Sequence, residues 1–420
     1  MKSLLILMIA FGFALMSIAD ESGDQIVDGS NLPSDIKTAL GSDLEDFQKF
    51  HKKFNKRIKA KNLKKAAKAF AKNNERLKAL QEKNKGRSFQ LKMNKYMSME
   101  PEEFQAQVLL PKKAMIFNKK SGGIDAKTAK KLRKEKRKTK QMARQAARAA
   151  KKAARAGKKT GKNQRLRKEK RDTEIADDGT GDDLTKGDDE PPKYDPQIDD
   201  KLPESFDWRD YGVITSVKDQ GDCNSCWAFS AVGVLEAQHA RKHPGEDLID
   251  LSEQQMSCFT ANNTGTICEP NTSENALEYY QQTPGLGLES DAPYVGKNGD
   301  MACKKWTPAV RVASHISLLG STVDEIKDAL IQDGPIAIGA LFNDEAVYYG
   351  GGLFDAKCGS GNEFGHSMVL VGYGKENNNS YWIIKNSWAD TWGEKGYIKW
   401  KMGENLCDVE SRRLNQAQIV

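Results

Sequence analysis

Cys226 is the residue of this chain best placed for covalent chemistry. It lies in the stretch Gln220-Gly221-Asp222-Cys223-Asn224-Ser225-Cys226-Trp227-Ala228-Phe229-Ser230. Apolar Trp227, Phe229, Val232, Val234 and Leu235, with small Ala228 and Ala231, predict a buried helix that starts at the cysteine. Ser225 is of a type that caps such a start. A thiol in the first turn faces unpaired N–H groups and the positive end of the helix dipole, and both favour the nucleophilic thiolate. Gln220, six residues upstream, offers an amide that could donate to an oxyanion. The spacing Cys223-x-x-Cys226 also permits a redox pair or half a zinc site. Those readings need a βαβ surrounding or a second ligand pair, and neither is found nearby.

A thiolate nucleophile needs a base, and the chain has five histidines. His51 lies far upstream. His239 and His243 fall on the helix of Cys226, roughly 20 Å along it at about 1.5 Å per residue, out of reach. His315 sits in the alternating run 312–318 and reads as a half-exposed strand residue. His366 remains, entering an apolar strand between Gly365 and Ser367. Asn386, in Ile383-Ile384-Lys385-Asn386-Ser387-Trp388, carries an amide that can accept the imidazole N–H and fix its tautomer, with Trp388 beside it to exclude water.

These segments resemble the papain family of cysteine peptidases. The likeness covers the second half of the chain, from Leu202-Pro203-Glu204-Ser205-Phe206-Asp207-Trp208-Arg209 through the Cys226 stretch to Tyr381–Ile398. It implies an α+β, papain-like fold of two subdomains, a helical half carrying Cys226 and a β-barrel-like half carrying His366 and Asn386. It implies Gln220, Cys226, His366 and Asn386 as the catalytic set of a cysteine endopeptidase, with no cofactor and no metal. Asn224, Ser225, Trp227, Pro270, Asn271, Gly365 and Trp388 would line the substrate cleft. The pairings implied are Cys223–Cys268, Cys258–Cys303 and Cys358–Cys407, which would leave Cys226 free among seven cysteines. The family has glycines where this chain has Asn224, Pro270 and Asn271, so a narrowed cleft is expected. No insertion resembles the two-histidine loop of dipeptide-removing relatives.

The elements that must position this machinery follow a strongly divided chain of 420 residues. Residues 1–200 hold 48 Lys+Arg against 28 Asp+Glu, and residues 201–420 hold 18 against 30. Residues 1–19 read as a signal peptide, with Lys2, an apolar run from Leu4 to Met16, and Ser17-Ile18-Ala19 as the cleavage site. A secretory-pathway location follows, lysosomal or extracellular, where disulfides form. Sequons at Asn262, Asn271 and Asn378 suit glycosylation there.

Residues 20–111 are expected to form a helical inhibitory propeptide. Leu44, Phe47, Phe50, Phe54 and Ile58 recur at helical spacing, and Phe70, Asn73 and Leu77 resemble the later part of the long-helix motif of cathepsin L-like propeptides, with Gln81 where that family has Asn and without its earlier Glu and Arg. Residues 112–171 form a basic low-complexity insert. From Lys119 to Arg171 there are 24 Lys+Arg against 3 Asp+Glu, with alanine the main apolar residue, so partial helix without packed structure is expected. Residues 172–201 read as an acidic linker, with 12 Asp+Glu against 2 Lys from Asp172 to Asp200. The insert could bind a polyanion, or reinforce the propeptide clamp by attraction to the acidic half. The peptidase domain is expected over 202–420, as a monomer acting on protein and peptide substrates. The competing reading is a papain-like scaffold with an altered cleft that serves as a polyanion- or protein-binding protein.

Overall fold

The computed structural model describes residues 18–19, 25–27, 32–54, 58–115, 123–139, 141–142, 145, 202–259, 267–296, 306–359, 361 and 363–420. The expected signal peptide apart from 18–19, the whole acidic linker 172–201, Asn262 and Cys303 lie outside these residues. No helix among the described residues is long and apolar enough to cross a membrane.

The pro-region is helical, as its periodicity predicts. Helices α1 (Ser34–Leu40), α2 (Leu44–Phe54) and α3 (Ala60–Lys83) pack together. Phe47 and Phe50 of α2 are fully buried against Phe70 of α3, with ring centroids 5.1 and 5.2 Å apart. Three short strands, β1 (Ile18–Ala19), β2 (Gln25–Val27) and β3 (Ile58–Lys59), form a small antiparallel sheet. The motif residues of α3 hold the chain that follows. Asn73 donates to the carbonyls of Met97 and Met99 at 2.9 and 2.7 Å, and Gln81 donates to Leu91 at 2.9 Å. That fixes strand β4 (Phe89–Leu91) and the approach to α4 (Pro101–Val108). Pro101 opens α4 at a position where its missing N–H costs nothing.

The insert differs from expectation at one place. Residues 126–139 form a helix, α5, preceded by a single strand residue, Ile124, and both pack on the catalytic half. Sequence reasoning excludes a core within the insert, and the described residues 123–139 bury Ala129 and part of Ile124 on the catalytic half instead. The packing arises because the insert uses another unit's surface.

The catalytic half begins at β5 (Phe206–Asp207) and supplies α6 (Cys226–Lys242), α7 (Ser273–Gln281) and α8 (Val323–Asp333). A capping box between Thr322 and Glu325 starts α8. The strands are β6 (Val312–Ser317), β7 (Ile336–Phe342), β8 (Tyr349–Phe354), β9 (Phe364–Glu376), β10 (Asn379–Lys385), β11 (Tyr397–Lys401) and β12 (Arg412–Ile419), with a one-turn helix α9 (Asp344–Val347). They order as β4-β8-β11-β10-β9-β7-β12-β6, with β5 beside β9.

This sheet is open, which corrects the barrel-like expectation: its end strands β4 and β6 do not pair with each other. A separate segment from the first half of the chain adds to each edge. At one edge the pro-region strand β4 adds to β8, where Gly352 has φ +84° and a side chain would overlap the Ser88 carbonyl. At the other edge Ile124 pairs with Ile316 of β6. Helix α6 lies against β9 and β7, buried on nearly every face, as its continuous apolar sequence requires. Two of the implied disulfides are formed, Cys223–Cys268 and Cys358–Cys407, and Cys226 is free. The expected partner of Cys258, Cys303, lies outside the described residues.

Candidate active site

Cys226 is the first residue of α6, with Ser225 at the N-cap position. Ser225 makes no side-chain cap, contrary to expectation. Its backbone is not extended (φ −90°, ψ 9°), and its hydroxyl instead meets the Tyr294 hydroxyl at 2.6 Å. The thiol is buried, and hydrogen bonds from Ser367 and from the first turn of α6 reach it. Burial nevertheless dominates and pushes the Cys226 thiol up to about 12.

His366 enters on β9 and is likewise buried. Its Nε2 lies 2.7 Å from Oδ1 of Asn386, the residue just after β10, while its Nδ1 has no hydrogen-bond partner. The amide oxygen can only accept, so Nε2 donates and Nδ1 is the basic nitrogen of a neutral ring. Burial lowers His366 to about 4, with the Asn386 bond opposing it. Trp388 covers the pair, its ring 4.8 Å from that of His366. With the cleft covered, burial favours the neutral form of both the thiol and the imidazole. The helix-terminus argument for a thiolate therefore applies to a site open to water, because desolvation outweighs the dipole here.

Gln220 precedes Cys226 on the other side. Its Oε1 accepts from Ser387 Oγ at 2.7 Å and Trp388 Nε1 at 3.2 Å, which fixes the amide and turns Nε2 outward. Nε2 donates to the Cys223 carbonyl at 2.8 Å and to the Val108 carbonyl at 3.0 Å. Val108 ends α4, so a pro-region carbonyl occupies the donor that was expected to face an oxyanion. The next residues continue along the cleft. Leu110 and Gly365 exchange two backbone hydrogen bonds, 2.7 and 2.6 Å, as one antiparallel bridge. Asn224 Nδ2 donates to the Ala106 carbonyl at 2.7 Å. Tyr96 and Phe104 tilt against each other, and each meets Trp388 edge to face, with centroids 5.4 and 5.7 Å away.

The structure thus brings together Gln220, Asn224, Cys226, Gly365, His366, Asn386 and Trp388. Trp227 is set back, donating from its indole to the Glu269 carbonyl at 3.1 Å and tying α6 to the wall that carries Pro270. Pro270 is exposed. Asn271 accepts from the Thr272 N–H and the Asn275 amide at the start of α7 rather than projecting into the cleft. Of the remaining sequons, Asn378 is exposed in the β9–β10 turn. His315 is fully buried, not half-exposed, because Gly123 lies against its ring. Sequence reasoning passed over Ser367, which touches the thiol, and Ser387, which orients Gln220. Their only signal was adjacency to His366 and Asn386.

Comparison with known proteins agrees with this geometry. The family model "Papain family cysteine protease" matches residues 202–417. The chain belongs to the papain family of cysteine proteases. It is 39% identical over 212 residues to the oryzain gamma chain of Oryza sativa subsp. japonica, covering 50% of this chain and 58% of that one. It is 39% identical over 217 residues to the viral cathepsin of Mamestra configurata nucleopolyhedrovirus, covering 52% and 62%. The match thus spans about three-fifths of these curated relatives, as those shares state. Among solved structures, the digestive procathepsin L2 proteinase of Tenebrio molitor larval midgut superposes with TM-score 0.63 at 25% identity, over 89% of this chain and 99% of that one. The proform of the ragweed pollen cysteine protease Amb a 11 shares the fold, with TM-score 0.61 at 22% identity over 93% and 98%.

Proposed function

We propose that this protein is the zymogen of a cysteine endopeptidase, inhibited by its own residues 101–110. The observation that carries the reading is the Val108 carbonyl held by Gln220 beside Cys226, with Leu110 paired to Gly365. A peptide segment lies where a substrate would, so the cleft accepts extended chain. Removing it would rehydrate the site, and a proton could then pass from the Cys226 thiol to Nδ1 of His366.

The resulting thiolate attacks the carbonyl carbon of a peptide bond. Negative charge moves to the carbonyl oxygen, which the Gln220 amide and the Cys226 N–H stabilise. His366 delivers its proton to the departing amine as the C–N bond breaks, leaving an acyl-enzyme. It then takes a proton from the water that hydrolyses the thioester. Asn386 keeps the ring in the tautomer that faces the sulfur. The domain limits follow: 1–19 leader, 20–111 inhibitory pro-region, 112–171 and 172–201 insert and linker, and 202–420 peptidase. Disulfides in the catalytic half support a secretory-pathway product, lysosomal or extracellular.

The test is acid treatment of the full chain followed by hydrolysis of a fluorogenic peptide. Activity that appears with loss of the pro-region and is absent in Cys226→Ala supports the proposal. A fully processed wild-type chain without activity refutes it and leaves the scaffold as a binding protein.

A further inference from the structure

The basic insert meets the catalytic half at a built surface remote from the cleft. Ile124 adds to the outer edge of β6 as a parallel neighbour of Ile316, donating to the His315 carbonyl at 3.1 Å and accepting from the Ser317 N–H at 2.9 Å. Gly123 must be glycine, since a Cβ built on it would overlap the His315 ring. Asp125 caps the helix that follows, accepting from the N–H groups of Lys127 and Thr128 at 2.9 and 3.0 Å.

Helix α5 then meets α8 through three ion pairs. Lys130 pairs with Glu325, Arg137 with Asp328, and Arg133 with Asp333 at 2.6 Å. The side chains of Arg133 and Asp333 are only 5% and 7% exposed, unlike a surface pair, and Ala129 packs beneath them at 2%. Exposed ion pairs contribute little, but a buried pair is strongly sensitive to loss of one partner. An unpaired sheet edge likewise favours any strand that reaches it. Within the described segment 123–139, Lys130, Arg133 and Arg137 are set at helical spacing, i, i+3 and i+7, opposite carboxylates.

We infer that the acidic face of α8 and the outer edge of β6 form a docking site for the chain's own segment 123–139, and that its occupation holds the pro-region in place independently of the cleft. The second half of this inference rests on the zymogen reading above. The site recognises a glycine-led strand residue followed by an arginine-bearing helix. With β4 on the opposite edge, the pro-region would grip both ends of one sheet, and the cleft-blocking segment would be tethered from two sides.

Hydrogen exchange on the full chain carrying Cys226→Ala, which stays intact, reads the docking directly. The amides of Ile124 and α5 should be protected. Arg133→Ala with Arg137→Ala should lower that protection about tenfold or more, with the α4 amides unchanged. Gly123→Val tests the same site through shape instead of charge and should do likewise. In the active background, both variants should shorten the lag of acid activation severalfold and reach the wild-type final rate. Unchanged α5 protection in both variants overturns the docking site. Lost protection with an unchanged lag overturns its role in retention. A wild-type chain that never becomes active after processing overturns the peptidase reading instead, and exchange alone then decides the docking site.

Discussion

Acid should open the proposed zymogen in part through His366. In the closed state burial holds His366 at about 4, against an ordinary value of 6.5. A group depressed in the closed state prefers to be neutral there, so closure is unaffected above pH about 6.5 and weakens as pH falls toward 4. The difference of about 2.5 units corresponds to about 3 kcal/mol, or roughly a 300-fold change in the opening equilibrium. The value is conservative, because pairing with a thiolate in the open state would raise His366 further. Hydrogen exchange or limited proteolysis of 101–110 in Cys226→Ala, between pH 7 and 4, measures the opening without self-cleavage. Adding His366→Gln removes the titrating ring and leaves the carboxylates at the interface in place, including Asp219 beside Lys95 and Asp344 beside Arg76. The reasoning predicts that the single variant opens about 10²-fold or more steeply across this range than the double variant. Equal pH dependence in both would refute it.

Three other perturbations follow from named contacts. Asn73→Ala strands the Met97 and Met99 carbonyls in a buried turn, so the pro-region should lose about 1–3 kcal/mol in thermal or denaturant unfolding and activate faster. Gly352→Ala, at φ +84° and against Ser88, should break the β4–β8 pairing and raise leak activity of the intact chain at neutral pH. Asn224→Gly removes the bond to the Ala106 carbonyl and a side chain from the cleft. It should shorten the activation lag and raise kcat/KM on small peptides, and a kcat/KM unchanged or lowered would show that Asn224 does not narrow the cleft.

The place of Cys226 at a helix start and the pairing of His366 with Asn386 were legible because each sits in a stretch whose neighbours are dictated by chemistry. A thiol needs a helix start, an imidazole needs close small neighbours, and an amide needs a shielding indole. The pairing of α2 with α3 was legible through the aromatic spacing of Phe47, Phe50 and Phe70. The docking of α5 was not, because periodicity reports only apolar faces and the partners of Arg133 and Arg137 lie about 190–200 residues away on α8, as the pair separations show. The burial of His315 was hidden for the same reason, since the covering atom belongs to Gly123. Nor could sequence show that the thiol is protonated in the closed state. That property comes from α4 and the Tyr96–Phe104 pair sealing the cleft, a consequence of packing between distant segments.

The most direct test of the central claim is covalent labelling of the sulfur by a peptidyl epoxide, followed by mass spectrometry of the labelled peptide. The account predicts stoichiometric modification at Cys226 once residues 101–110 have been displaced, and none while Gln220 still holds the Val108 carbonyl. Rapid labelling of the intact chain at neutral pH, or no labelling after the segment has gone, would contradict it.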